Sequence, residues 1–252
     1  MAEEQKFPSE LIDLPSGGKC YPKESPLHSG QIEVKYMTAK EEDILTSQNL
    51  IKKGVVIDRL LDSLILTDGV STDDLVLGDK NAVMVTARIL AYGPEYSCEI
   101  NHPTTKEKIP YTFNLAECPF KELPKDIDYN TNQWEITLPV SKKKITIKLL
   151  TGKDEKQIQK DLDATKKVSG LTSTEITTRL RYMVTSVDGD SNQATINEFS
   201  QNCLARDSLA IRKFTADISP DIELKQEIEL EGRIVEVDIP LTIQFFWPNA
   251  EG

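Results

Sequence analysis

The chain has 252 residues, with 30 Lys and Arg against 41 Asp and Glu, a formal net charge of −11, 38% hydrophobic and 28% charged residues. That length gives one large domain or two small ones with a sizeable core, and the negative charge disfavours a phosphate backbone as partner. No apolar run approaches the ~20 residues of a membrane-spanning helix.

The opening Met-Ala-Glu-Glu-Gln-Lys is acidic and lacks a signal peptide's apolar stretch, so synthesis and retention in a cytoplasm are expected. The four cysteines, Cys20, Cys98, Cys118 and Cys203, are far apart, and free thiols are the expectation in that compartment. Residues 1–30 hold Pro8, Pro15, Pro22, Pro26, Gly17, Gly18 and Gly30, a density of breakers that predicts an extended arm. Leu11, Ile12, Leu14, Tyr21 and Leu27 give this arm apolar anchors, for docking on its own domain or on a neighbour.

Residues 38–92 read as helical. Thr38 and Glu41 have capping-box spacing. Ile44, Leu45, Val55, Val56, Leu60, Leu61, Leu64 and Ile65 then recur at three- and four-residue intervals, with a break at Gly54. Asp68-Gly69 predicts a turn, Ser71 or Thr72 a short capped helix, and Asp79–Tyr92 a longer one that stops at Gly93-Pro94. Period-two alternation predicts two hairpins next. Tyr96, Cys98 and Ile100 answer Ile109, Tyr111 and Phe113 in the first, and Trp134, Ile136 and Leu138 face Ile145, Ile147 and Leu149 in the second. Lys142-Lys143-Lys144 forms the turn of the second and reads as a solvated tip.

A second helical part is expected over 152–218: a charged helix from Lys153 to Lys167, a helix capped by Thr172 with Glu175 that runs through Leu180, Met183, Val184 and Val187, a third capped by Thr195 with Glu198, and a last one ending before Pro220. A third hairpin pairs Ile222–Leu230 with Ile234–Trp247 across Glu231-Gly232. The fold class is therefore α+β: helical segments alternate with antiparallel hairpins behind an extended N-terminal arm. The divisions are 1–30, 31–150 and 151–252, or one continuous domain.

Chemistry-bearing residues are sparse. Of the two histidines, His28 lies in the Pro-rich arm and His102 in a turn. Cys98, His102 and Cys118 are candidate zinc ligands or a Cys-His pair, set against plain buried thiols and a turn histidine. No glycine-rich phosphate loop occurs. Gly152-Lys153 has the strand-to-helix order of an anion site without the other glycines, and Asp188-Gly189-Asp190 fails as a calcium loop because its twelfth position is Phe199. Arg206 and Arg212 are candidate partner contacts or members of local ion pairs. In Phe245, Phe246 and Trp247, neighbouring aromatics on a strand face opposite ways, so one aromatic face is a candidate for a partner, set against a strand buried on both faces. Tyr36 opens the charged helix start Lys40–Asp43, a solvated first turn or a contact surface. No catalytic residue and no cofactor site emerges.

Several blocks, spread in order along the chain, resemble a known family. They are Leu14–Pro22 (Leu-Pro-Ser-Gly-Gly-Lys-Cys-Tyr-Pro), Ile32–Leu45, Gly78–Ala82 with Ala87–Gly93, Leu150–Glu155, Val187–Asp190, Ala205–Ser208 and Phe245–Pro248. The chain resembles the baseplate hub proteins of T-even-type contractile-tailed phages, hub subunits or hub assembly proteins. The resemblance implies a structural or assembly role and no enzyme activity. It implies hub and tape-measure proteins as partners, self-association as a further contact, and the virion tail, with the host cytoplasm during assembly, as location. The alternatives are a tail-assembly chaperone that leaves before the virion matures and a small zinc-stabilised domain. The region 100–135 stands out as elaborated relative to that family.

Overall fold

The computed structural model describes residues 7–102, 107–169, 174–230, 232–241 and 243–246. The N-terminal segment docks on its own chain. Strand β1 (Ser9–Asp13) pairs antiparallel with β2 (Gln31–Lys35), in the register Leu11 opposite Glu33. Between them, Leu14, Cys20, Tyr21 and Leu27 are buried, so the proline- and glycine-rich stretch is a packed loop rather than a free arm. Gly18 is required there: its φ is +78°, and a Cβ would overlap the His28 carbonyl.

Helix α1 (Ala39–Thr46) starts with the expected capping box at Thr38 and Glu41. Helices α2 (Gln48–Lys52) and α3 (Val56–Leu64) follow on either side of Gly54. On α3, Val56, Leu60, Leu61 and Leu64 form the buried stripe that the three- and four-residue spacing predicts. The short helix expected after Ser71 is a turn instead. The Asp74 carboxylate accepts from the Ser71 amide and hydroxyl at 2.9 and 2.8 Å, while Thr72 is fully buried and donates to Asp62. Competition from these side-chain bonds holds the backbone in a turn.

Helix α4 (Leu77–Tyr92) begins two residues earlier than predicted and ends at Gly93. The first hairpin is as expected: β3 (Glu95–Asn101) pairs with β4 (Lys108–Asn114), Cys98 opposite Tyr111. In the middle region, residues 119–121 pair with 221–223 through the Phe120–Ile222 bridge and two backbone bonds, tying that segment to the end of the chain.

The second hairpin, β5 (Trp134–Thr137) with β6 (Lys144–Ile147), gains a third strand. After α5 (Gly152–Ser169) and α6 (Glu175–Met183), residues expected to continue as helix form β7 (Val184–Val187), which covers the free edge of β6. Ile145 and Ile147 on β6 are fully buried, and the sequence Val-Thr-Ser-Val of β7 is mostly β-branched, which favours the strand. Thr172, the predicted cap of α6, lies outside the described residues.

Helix α7 (Gln193–Asn202) is capped by Asn192, not Thr195, because the Thr195 hydroxyl is bound to Asp190 at 2.6 Å. Helix α8 (Ala205–Ile218) ends before Pro220 as expected, and β8 (Lys225–Leu230) pairs with β9 (Arg233–Asp238). The return strand stops there: residues 243–246 form a 3₁₀ turn. Buried apolar residues from Leu14 to Phe246 make one contiguous cluster. Among the described residues no helix is long and apolar enough to cross a membrane.

Candidate interaction surfaces

The segments that stood out in the sequence converge on buried joints. Asp79, in the first turn of α4, is completely buried. Its carboxylate accepts from the Ser16 amide at 2.9 Å, the Ser16 hydroxyl at 2.6 Å and the Tyr21 hydroxyl at 2.6 Å. The Tyr21 oxygen in turn accepts from the Val76 amide at 3.0 Å. Burial pushes the Asp79 carboxyl above the usual range, and the Ser16 and Tyr21 bonds only partly offset it. Cys20 beside this cluster is pushed up to about 12, first by burial and then by the Asp79 charge. A thiol held protonated in this way is a packing group, not a nucleophile.

Two glycines close the joints around α4 and α5. A Cβ on Gly78 would overlap the Pro220 carbonyl, and one on Gly152 would overlap the Thr72 carbonyl. The Gly152 and Lys153 amides donate to Leu75 O and Asp73 O at 2.9 and 3.0 Å, and Thr151 and Asp154 cap the same end. The start of α5 is therefore filled by protein carbonyls, and the anion site weighed for Gly152-Lys153 is closed.

The aromatic end is internal. Phe245 and Phe246 are both fully buried, and Phe245 meets Tyr96 edge-on at 4.9 Å. They lie on a 3₁₀ turn rather than on a strand, so both enter the core, which the alternation of a strand had forbidden. Arg88 of α4 fixes this turn. It is 4% exposed and donates to Phe245 O, Gly93 O and Glu95 O at 2.9, 3.0 and 3.2 Å, with its guanidinium 5.1 Å from the Tyr92 ring. Trp247 lies outside the described residues.

The metal candidates are not gathered. Cys98 lies half-buried on β3, Cys118 is buried near Gln226, and His102 follows β3. Among the described residues no group of three or more His, Cys, Asp or Glu could hold a metal ion. Burial raises the pKa of Cys98 and of Cys118.

The remaining candidates sit at the surface. Tyr36 is half-buried, and its hydroxyl donates to Glu10 at 2.9 Å. Arg206 and Arg212 are exposed, and neither forms an ion pair among the described residues. The charged neighbour of Arg206, Asp207, turns inward and accepts from the Val140 and Ser141 amides at 2.8 and 3.0 Å. Arg212 lines a cleft of about 540 Å³ between the start of α4, residues 149–150 and the end of α8. The other cations of that cleft are committed: Arg179 holds Glu155 in a two-bond fork at 2.9 and 2.7 Å, and Lys121 donates to carbonyls at the end of α8.

Sequence reading missed a larger groove, of about 940 Å³, between the α2–α3 corner, the turn at 71–73 and α5. Its signal was present in Lys52-Lys53 and in the i, i+4 pair Lys156 and Lys160, but nothing in the sequence brings the two stretches together.

A family model described as T4 bacteriophage base plate protein matches residues 8–225. No curated protein and no solved structure matches the chain.

Proposed function

The chain belongs to the T4 bacteriophage base plate protein family, whose model covers most of its length, and from that membership we propose that it is a structural or assembly component of the baseplate hub. On this reading it acts by contact with other hub proteins and with the tape-measure protein, and catalyses no reaction. The family match carries the proposal. The chemistry agrees with it, because each polar cluster described above holds one part of the chain to another. Asp79 clasps the N-terminal segment, Arg88 the C-terminal turn, and Asp207 the turn at 140–141.

Contacts with partners then fall to groups left uncommitted by the fold. Arg206 and Arg212 on α8 are exposed arginines of the kind that anchor interfaces. The β1 edge, with Leu11 62% exposed and the Tyr36 hydroxyl bound to its Glu10, offers a second contact strip. The hairpins β3–β4 and β8–β9 present further unpaired edges.

Mass spectrometry of purified virions, together with pull-downs of hub and tape-measure proteins by tagged chain, tests the proposal. Presence in the particle and capture of a hub protein support a structural hub part. Capture without presence in the particle reassigns the chain to assembly alone. Absence from the particle with no tail protein captured overturns the hub reading.

A further inference from the structure

The groove between the α2–α3 corner and α5 is lined by six cations and five carboxylates. Three of its five carboxylates are paired with a cation. Asp58 is paired with Lys80 and, at 3.3 Å, with Lys156; Asp73 is paired with Lys156. Glu155 is held by Arg179, whereas Asp62 and Asp163 accept only from the neutral Thr72 and Gln159 and keep their charge. Four cations on the same groove have no such partner. Lys52, Lys53, Arg59 and Lys160 are all exposed and form no ion pair among the described residues. The unpaired charge of the groove is thus four cations against two carboxylates, a cationic excess in a chain whose net charge is −11. Ile51, Val55 and Ile57 add partly buried apolar surface between these cations.

We propose that this groove is a docking site for an acidic, partly apolar segment of a partner protein. The inference deepens the assembly reading by giving one contact surface and the chemistry of what it takes. Its volume of about 940 Å³ falls at the upper end of the ~300–1,000 Å³ of ligand clefts. Four unpaired cations attract carboxylates and raise the rate of encounter, and the aliphatic strip takes an apolar side chain between them. A nucleic acid suits the groove less well. Its phosphates would leave the aliphatic strip of Ile51, Val55 and Ile57 without an apolar group to cover it.

The probe is a fluorescein-labelled peptide of alternating glutamate and leucine, followed by fluorescence anisotropy on the purified full chain at low and physiological salt. The expected result is saturable binding that weakens with salt and is abolished when lysine replaces glutamate in the peptide. The double variant K52E/K160E should bind at least about tenfold more weakly, whereas K142E/K213E, with the same change in net charge on distant exposed lysines, should stay within about twofold. Far-UV circular dichroism and thermal midpoints check that both variants fold; K52Q/K160Q replaces the reversal if it does not, with the same direction expected. Equal loss in the groove and distant variants overturns the site, because only net charge then matters. Stronger displacement by single-stranded DNA or polyphosphate than by unlabelled peptide overturns the peptide assignment. Concentration-dependent self-association in sedimentation, lost in K52E/K160E, makes the occupant a second copy and overturns the partner assignment. The assay needs no phage particle, so its failure leaves the virion test of the hub reading untouched.

Discussion

Replacing Asp79 by alanine should cost far more than its single side chain suggests. The substitution strands three donors in a site with no exposure: the Ser16 amide, the Ser16 hydroxyl and the Tyr21 hydroxyl. A buried donor left without an acceptor costs ~1–3 kcal/mol. The amide is fixed in the backbone and bears the upper part of that range, while the hydroxyls can rotate and bear the lower. Relief of the buried carboxylate offsets part of the sum, so the net loss should be about 3 kcal/mol. For a chain of 252 residues that is a fall of roughly 6–12 °C in Tm. Urea denaturation is the assay, read as a lower midpoint at unchanged slope. Limited proteolysis should cut residues 14–30 before the rest of the chain, because their clasp is gone. S16A and Y21F should each cost less, since each leaves other donors on the carboxylate. A cost below about 1 kcal/mol for D79A, or one matched by each single partner variant, would refute the reasoning. The pH dependence gives a second check. The folded-state pKa of Asp79 is raised, so between the usual carboxylate range and that raised value the folded chain holds a proton the unfolded chain has lost. Its contribution is full below the unfolded pKa and declines as pH rises through the folded one. D79N should flatten the stability profile across that window.

Three further substitutions probe other joints. G78A drives a methyl into the Pro220 carbonyl and should cost at least the ~1–3 kcal/mol of overpacking, seen as a lower thermal midpoint, whereas Ala at the open Gly69 should not drive any atom into a neighbour. R88M removes three bonds to carbonyl oxygens around the C-terminal turn and should cost about 2–3 kcal/mol, with faster proteolysis near residues 243–246 as the local readout. E41Q leaves Lys35, paired with Glu41 at 2.8 Å and almost as buried, without its counter-charge, at a cost of about 3 kcal/mol by denaturant titration. Burial opposes ionisation of Glu41, but the Lys35 and Thr38 bonds win and hold its pKa below the usual range. Its contribution is therefore present above the unfolded pKa and lost as pH falls through the folded one, and E41Q should lose stability at neutral pH while matching the parent chain in acid.

Much of the fold was legible because its signals are local. The Thr38–Glu41 capping box, the stripe on α3, the Gly93 stop and the β3–β4 alternation each depend on a few neighbouring residues. The errors fall where a competing partner, near or far along the chain, overrides the expected preference. Val184–Val187 leaves the helix to cover β6; Thr195 gives up its capping role to Asp190; Ser71 and Thr72 are taken by Asp74 and Asp62. The resemblance blocks were informative for the same reason in reverse. Gly18, Gly78, Asp79, Arg88 and Gly152 are the residues at which separate segments touch.

The sequence by itself determined an acidic α+β chain with local helices and hairpins, since composition and periodicity act over a few residues and need no knowledge of what lies opposite. It also placed the chain near a family through those same blocks. Which aromatic is a surface and which is core was not written there. Phe245 and Phe246 are both internal because Arg88, far away in sequence, bends their segment into a turn. Likewise the four unpaired cations of the groove are visible only in three dimensions. Lys52, Arg59 and Lys160 become one surface because α2, α3 and α5 line the same groove, and only the ion-pair network there shows which charges the fold has already used.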